Sequence, residues 1–258
     1  MRLLIIGDIV GRPGRTVLKE NLDDLIDEYE SDIVIANGEN ASAGLGITEK
    51  NAEELFDLGI SVITTGNHVW DKKETLDFID EYPYLLRPAN YPDPCPGNGS
   101  VIISKNCFSI AVINLSGRSY MKNFDCPFKK LDQILEELPR EVNGIILDFH
   151  GETTSEKLAM GYYAQDRLSL VYGTHTHVQT ADHRILNGHT GYITDIGMTG
   201  PYEGIIGVDK DIIIQQFLNQ RPAKYKLAEG AVQINGISVD LDEGGACRSI
   251  NPFIKIYD

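Results

Sequence analysis

Short apolar runs alternate with amphipathic stretches over the first two-thirds of the chain. The runs have the length and composition of buried strands, and the stretches between them repeat their apolar residues with helical spacing. Strands separated by helices indicate a largely parallel sheet that is covered on both faces. The predicted elements are a strand at Leu3–Ile6, a helix from Pro13 to about Tyr29, a strand at Ile33–Ala36, a helix from Thr48 to Gly59, a strand at Ile60–Thr64 and a helix that begins with the capping-box spacing of Asp71 and Glu74.

The pattern changes in the middle of the chain, where two apolar runs are separated by only a few residues and predict an antiparallel hairpin. A polar helix and two buried strands follow, and the chain then becomes rich in strand patterns. The predicted elements are the hairpin Val101–Ser104 with Phe108–Asn114, a helix around Lys129–Leu138, strands at Gly144–Phe149 and Leu168–Tyr172, and hairpin turns at Asn187-Gly188 and Asn235-Gly236.

No internal repeat, low-complexity tract or linker divides the sequence. A length of 258 residues suits one α/β domain with a real hydrophobic core. We therefore predict a single domain over residues 1–258, in the α/β class, with two packed mixed β-sheets that form a β-sandwich core flanked by helices.

Charge and composition narrow the range of partners. The chain has 38 acidic and 23 basic residues and a net charge of −15. That balance argues against generic binding of duplex nucleic acid or of an anionic membrane, because both need clustered Lys and Arg. No apolar stretch is long enough for a transmembrane helix, and the N-terminal run is too short for a signal peptide. The four cysteines show no Cys-x-x-Cys spacing, so we expect reduced thiols and a cytoplasmic location.

The informative residues lie directly after the apolar runs. Five predicted strands are followed by side chains that can bind a metal ion, and in α/β sheets the carboxyl ends of the strands form the ligand-binding edge. Each residue alone has an ordinary structural explanation, as a helix cap, a turn residue or a hydrogen-bonded histidine. Their combination favours a site. The candidates are Asp8, Glu39, Asn40, Asn67, His68, His150, His175 and His177.

Other catalytic motifs fit the sequence poorly. Gly7, Gly11 and Gly14 depart from the spacing of a dinucleotide-binding loop, and Asp8 lies where a pyrophosphate would approach. The sequence has neither a phosphate-binding P-loop nor the Gly-x-Ser-x-Gly elbow of a serine hydrolase. We therefore expect no organic cofactor.

The order of these segments resembles that of the calcineurin-like metallophosphoesterases, and more closely that of their bacterial YmdB-like branch, which acts on cyclic nucleotides. The resemblance implies a four-layer αββα fold. It covers nearly the whole chain and is carried by Gly7–Gly14, Asn37–Asn40, Thr65–Asp71, His150–Glu152, Gly173–His177 and Thr194–Pro201. Val10 stands where the wider superfamily has a histidine, and Glu39 where it has an aspartate; both departures match the YmdB-like branch.

The resemblance also implies a set of roles. Asp8, Glu39, Asn40 and His177 would hold one divalent metal ion, while Glu39, Asn67, His150 and His175 would hold the second, with Glu39 bridging them. His68 would stay free of metal and face the substrate. Fe or Mn are expected first, and Zn is an alternative.

These roles imply a phosphodiesterase that hydrolyses small cyclic nucleotides, 2′,3′-cyclic before 3′,5′-cyclic. A hydroxide between the two ions would attack phosphorus, and His68 would act as the general acid. Asp71 either orients His68 or caps a helix. Two alternatives stay open, namely a phosphomonoesterase or protein phosphatase on the same metals, and a metal-stabilised regulatory protein that acts through a partner. Self-association into a homo-oligomer is also expected.

Overall fold

The computed structural model describes residues 1–258 and contains thirteen strands, six helices and one short 3-10 turn. The strands are β1 (Arg2–Ile6), β2 (Asp8–Ile9), β3 (Ile33–Asn37), β4 (Val62–Thr64), β5 (Ser100–Lys105), β6 (Phe108–Ser116), β7 (Gly144–His150), β8 (Leu170–Thr174), β9 (Arg184–Leu186), β10 (Thr190–Ile193), β11 (Met198–Pro201), β12 (Val232–Leu241) and β13 (Cys247–Tyr257). The helices are α1 (Gly11–Glu28), α2 (Glu49–Asp57), α3 (Thr75–Phe78), α4 (Pro127–Glu137), α5 (Thr154–Ala164) and α6 (Lys210–Asn219).

The strands form two mixed sheets. The seven-stranded sheet has the order β2-β11-β12-β1-β3-β4, and β13 pairs with β12. The six-stranded sheet has the order β5-β6-β7-β8-β10-β9. Strands β1, β3 and β4 run parallel in the first sheet, as do β6, β7 and β8 in the second. The prediction of two mixed sheets is therefore confirmed.

Alternating side chains of β1 show how the layers pack. Leu3 and Ile5 lie in a core cluster between the two sheets, which includes Ile110 from the second sheet. Leu4 and Ile6 point to the opposite face and pack in a cluster that contains residues of α1 and α2. A third cluster joins the outer face of the second sheet to α4 and α5. Both sheets are therefore buried on two faces, which explains their continuous apolar runs.

Two helices are absent from the sequence prediction. The buried face of α5 consists of Lys157, Met160, Gly161 and Ala164, so two of its four positions are not apolar and the helical period is obscured. Helix α6 buries only Ile213 and exposes Phe217 and Leu218. Its apolar residues therefore do not form one stripe.

Two predicted turn or cap positions are wrong, and one is confirmed. Asn187 and Gly188 form the predicted hairpin turn between β9 and β10, with φ of 48° and 72°. Asn235-Gly236, however, lies inside β12, where a Cβ on Gly236 would be 2.3 Å from the carbonyl oxygen of Ile5. The third helix begins at Thr75 rather than at Asp71, and no side chain caps it.

No helix combines the length and the apolar character needed to cross a bilayer.

Candidate metal centre

The carboxyl ends of five strands meet at one edge of the two sheets. Asp8 begins β2 directly after β1, His150 is the last residue of β7, and the other candidates lie in the turns that follow β3, β4 and β8. The first sheet supplies Asp8, Glu39, Asn40, Asn67 and His68, and the second sheet supplies His150, His175 and His177. The parallel strands of both sheets therefore deliver their side chains to a common place.

The centre of this group is a buried triad. Potential ligand atoms of Glu39, His150 and His175 all lie within 4.8 Å of one another. His150 Nε2 lies 3.1 Å from Glu39 Oε1 and 3.0 Å from His175 Nδ1. Asn67 Oδ1 is 3.0 Å from the same nitrogen of His150. These four residues are the set predicted to share one ion.

The remaining candidates lie against the triad. Asn40 Nδ2 is 3.1 Å from Glu39 Oε1 and 3.2 Å from His177 Nε2. His177 Nε2 lies 3.7 Å from Asp8 Oδ1. All predicted metal-binding residues are therefore brought into one continuous cluster, with Glu39 in contact with both halves.

The cluster fits divalent cations. Asp8 Oδ1 is buried and has no hydrogen-bond partner, which is a costly state for a carboxylate oxygen unless a cation satisfies it. Gly66 gives Glu39 and His150 room to converge, since a Cβ there would lie 2.3 Å from both Glu39 Oε2 and His150 Nε2. Imidazole nitrogens with carboxylate and amide oxygens suit transition metals better than Ca²⁺ or Mg²⁺.

Burial and mutual charge shift the pKa values of the cluster. Burial raises the pKa of Asp8 to about 7. Burial opposes the ionised form of Glu39, but His150 and the other nearby histidines outweigh it and lower the pKa of Glu39 below its ordinary value. Burial likewise opposes protonation of His150, but Glu39 raises the pKa of His150 to about 9. For His175, burial and His150 act together and lower the pKa to about 3.

Outer contacts orient three of the imidazoles. His150 Nδ1 lies 2.9 Å from Thr174 Oγ1, and that hydroxyl donates to the buried Asp148 at 2.6 Å. His175 Nε2 lies 3.1 Å from Glu152 Oε2, and His177 Nδ1 lies 3.0 Å from the carbonyl oxygen of Ile206. Partners of this kind fix the ring orientation of metal-binding histidines. The sequence prediction missed Asp148, although an acid inside an otherwise apolar strand is a signal it could have used.

The turn after β8 has a strained backbone. His175 and His177 have φ of 98° and 65°, which is unusual for residues with a side chain. Buried Asp195 holds this turn, because it accepts hydrogen bonds from the backbone amide of Thr176 at 3.1 Å and from its hydroxyl at 2.7 Å. Lys157 Nζ donates to the same carboxylate at 2.7 Å. The buried ion pair thus holds the turn that carries both histidines.

His68 lies at the rim of the cluster and is 29% exposed. Its backbone amide donates to Glu39 Oε2 at 3.2 Å, while its Nδ1 lies 2.7 Å from Asp71 Oδ2. Asp71 therefore contacts His68 and does not cap a helix. His68, Glu152, His175 and His177 face a cavity of about 550 Å³.

A model of the YmdB-like protein family matches residues 4–253. The chain belongs to the YmdB-like family. A relative from Bacillus subtilis (strain 168), named 2′,3′-cyclic-nucleotide 2′-phosphodiesterase, is 49% identical over 243 residues, which cover 94% of this chain and 92% of that protein.

Solved structures support the same fold for this YmdB-like chain. A structure described as a novel phosphatase from Mycoplasma pneumoniae has a TM-score of 0.94 at 32% identity and covers 100% of this chain and 94% of its own. A putative 5′-nucleotidase from Staphylococcus aureus has a TM-score of 0.64 at 15% identity and covers 100% of this chain and 55% of its own. The second likeness concerns the fold alone, and it agrees with the predicted α/β class.

Proposed function

We propose that this protein is a metal-dependent phosphodiesterase that hydrolyses small cyclic nucleotides. The observation that carries the proposal is the buried cluster of acids, amides and imidazoles, in which Asp8 Oδ1 has no hydrogen-bond partner within the protein. Asp8, Glu39, Asn40 and His177 would hold one divalent ion, and Glu39, Asn67, His150 and His175 the other. The contacts of Glu39 with both halves of the cluster support its role as the bridging ligand.

The residues around the metal centre would have different roles in the reaction. When bound, two divalent cations supply Lewis-acid activation of water and neutralise phosphate charge. His68 would donate a proton to the sugar oxygen that leaves phosphorus. Asp71, 2.7 Å from His68 Nδ1, would hold the ring so that Nε2 faces the substrate. Glu152 and Asp148 would keep His175 and His150 in place.

The substrate class follows from the relative with 49% identity, whose name specifies a 2′,3′-cyclic nucleotide. We therefore place 2′,3′-cyclic nucleotides before 3′,5′-cyclic ones. Fe or Mn are the expected ions and Zn an alternative, since the donor set of imidazole, carboxylate and amide suits all three.

Metal analysis combined with turnover tests the proposal. Protein loaded with Mn²⁺ or Fe²⁺ should contain two ions per chain and should hydrolyse 2′,3′-cyclic AMP faster than 3′,5′-cyclic AMP. One ion per chain at saturation would contradict the bridging role of Glu39. Two ions without phosphodiesterase activity would favour a regulatory protein.

A phosphomonoesterase is the second candidate, because the Mycoplasma pneumoniae structure with a TM-score of 0.94 is described as a phosphatase. The same preparation should be assayed with nucleoside 3′-phosphates and with a phosphopeptide. Turnover of these monoesters in the absence of cyclic-nucleotide hydrolysis would select this candidate.

A further inference from the structure

The cavity at the candidate metal centre is lined by two chemically different groups of residues. Its volume of about 550 Å³ lies within the range of small-molecule sites. One group of lining residues, the metal end, consists of predicted metal-binding residues together with His68. A second group, the apolar end, consists of Leu45, Ile206, Val208, Tyr225 and Leu227, and Lys224 lines the cavity next to Tyr225 in the chain. The proposed chemistry uses only the metal end.

The apolar end is held in place by close packing. A Cβ on Gly11 would lie 2.3 Å from Leu227 Cδ1, and one on Gly44 would lie 3.2 Å from Leu227 Cδ2. The two glycines therefore make room for Leu227, which lines this end. Both have positive φ, of 60° and 89°, so a side chain at either position would also be strained.

Backbone hydrogen bonds tie the walls of the apolar end together. The amide of Asp209 donates to the carbonyl of Lys226 at 2.8 Å, and the amide of Ala228 donates to the carbonyl of Gly207 at 3.1 Å. These bonds link the segment that carries Tyr225 to the segment that carries Ile206. The carbonyl of Ile206 also contacts His177 Nδ1 at 3.0 Å, so the apolar wall is fixed relative to the metal cluster.

Three side chains at this end remain open to solvent. Tyr225 is 54% exposed, Ile206 50% and Leu45 44%. Large apolar groups gathered on a concave surface are a common feature of ligand sites, since a ligand that covers them removes apolar area from water. A cyclic nucleotide has only a phosphate, a sugar and a base. With the phosphate at the metal end, the base is the part that can reach the apolar end.

We propose that Tyr225, Ile206 and Leu45 form the nucleobase subsite, with the base stacked on the ring of Tyr225. The inference rests on the proposed function and names the part of the substrate that the apolar end recognises. Stacking on an aromatic ring accepts every base because each base has a π face. The subsite therefore selects for the presence of a base and discriminates weakly among bases.

A pair of substrates that differ only in the base tests the subsite. Adenosine 2′,3′-cyclic phosphate and methyl riboside 2′,3′-cyclic phosphate have the same scissile ring, but the second has no base. The wild type should have the higher kcat/KM on the nucleotide. Tyr225→Ala should lower the ratio of the two kcat/KM values about tenfold, mainly through the KM of the nucleotide. Tyr225→Phe should restore the ratio because the ring is kept.

Tyr162→Ala is the matched control, because Tyr162 is 52% exposed and lies on α5, outside the cavity lining. It should leave the ratio unchanged. A wild type that hydrolyses both esters equally well, or a Tyr225→Ala protein with an unchanged ratio, would overturn the subsite and leave the proposed function standing.

If neither ester is hydrolysed, binding of adenosine, which has no phosphate, distinguishes a failure of the subsite from a failure of the proposed phosphodiesterase function. Saturation-transfer NMR should show adenosine bound to the wild type and its signal reduced in Tyr225→Ala. Absence of hydrolysis with retained adenosine binding would overturn the proposed function alone. Equal adenosine signals for the wild type and for Tyr225→Ala would overturn the subsite.

Discussion

The candidate site has an inner part and a rim that are built in different ways. In the inner part, the side chains of Asp8, Glu39 and His150 are at most 1% exposed and come from strand ends of both sheets. At the rim, His68 and Asp71 are 29% and 35% exposed and lie in the turn after β4. The sheets position the inner residues, whereas local contacts position the rim. We therefore expect the inner part to govern metal retention and the rim to govern proton transfer.

The largest expected effect comes from the residue shared by both halves of the inner part. Glu39→Ala should lose both ions, because Glu39 contacts the cluster around His150 as well as Asn40. Turnover should fall on the order of 10⁴-fold, as when a catalytic unit is dismantled. Elemental analysis of the purified variant measures the ions, and hydrolysis of 2′,3′-cyclic AMP measures the activity.

Glu74→Ala is the control for this variant, since Glu74 is exposed and makes no side-chain cap at α3. It should keep metal content and activity. Two ions retained by Glu39→Ala would show that the halves of the inner part are held independently.

At the rim, we expect loss of activity without loss of metal. His68→Ala should keep both ions and lower turnover about 10²–10⁴-fold, the usual contribution of a general acid. The loss should be largest for substrates with a poor leaving group, since a good one needs no proton. His183→Ala, an exposed histidine outside the cluster, should have no effect. Full activity of His68→Ala on a substrate with a poor leaving group would show that His68 is not the general acid.

The difference between the two parts also decides what the sequence could predict. The inner residues follow buried strands, and the rule that parallel strands deliver ligands at their carboxyl ends needs only the strand positions. Asp8, Glu39 and His150 were predicted together for this reason. The role of Asp71 could not be chosen, because capping a helix and orienting His68 require the same residue at the same spacing.

Features that depend on packing between distant segments were beyond the sequence prediction. Lys157 lies in the buried face of α5 because Asp195, 38 residues away, pairs with it, so a helix with a charged inner face was missed. Gly236 was predicted in a turn, but its missing side chain makes room for the backbone of β1. In both cases the partner that explains the residue lies elsewhere in the chain.

Loss of an outer hydrogen-bond partner of the inner part should lower metal affinity and activity less than loss of a metal-binding residue. Asp148→Asn weakens the acceptor for the hydroxyls of Thr174 and Thr64, which approach at 2.6 and 2.5 Å, and so loosens the contact to His150. Loss of such an outer partner lowers metal affinity or activity about 10–100-fold. Metal titration and steady-state kinetics measure both quantities. Asp132→Asn is the control, because Asp132 is a half-exposed carboxylate on α4 that pairs with Arg167 at 2.7 Å outside the cluster. It should leave metal affinity and activity unchanged.

The smallest expected effect is the dependence of metal affinity on pH, which comes from protons bound in the inner part. His150 has its pKa raised to about 9 by Glu39, so the metal-free protein holds a proton there at neutral pH. Metal binding needs the neutral imidazole and must displace that proton. Mn²⁺ affinity should therefore rise as pH increases from 7 towards 9, by up to about tenfold per unit for one displaced proton. Asp8, with a pKa of about 7, adds a second proton below that pH and steepens the dependence. Calorimetry in buffers of different ionisation enthalpy counts the protons released, and binding that releases none at pH 7 would show that the inner part is already deprotonated before metal arrives.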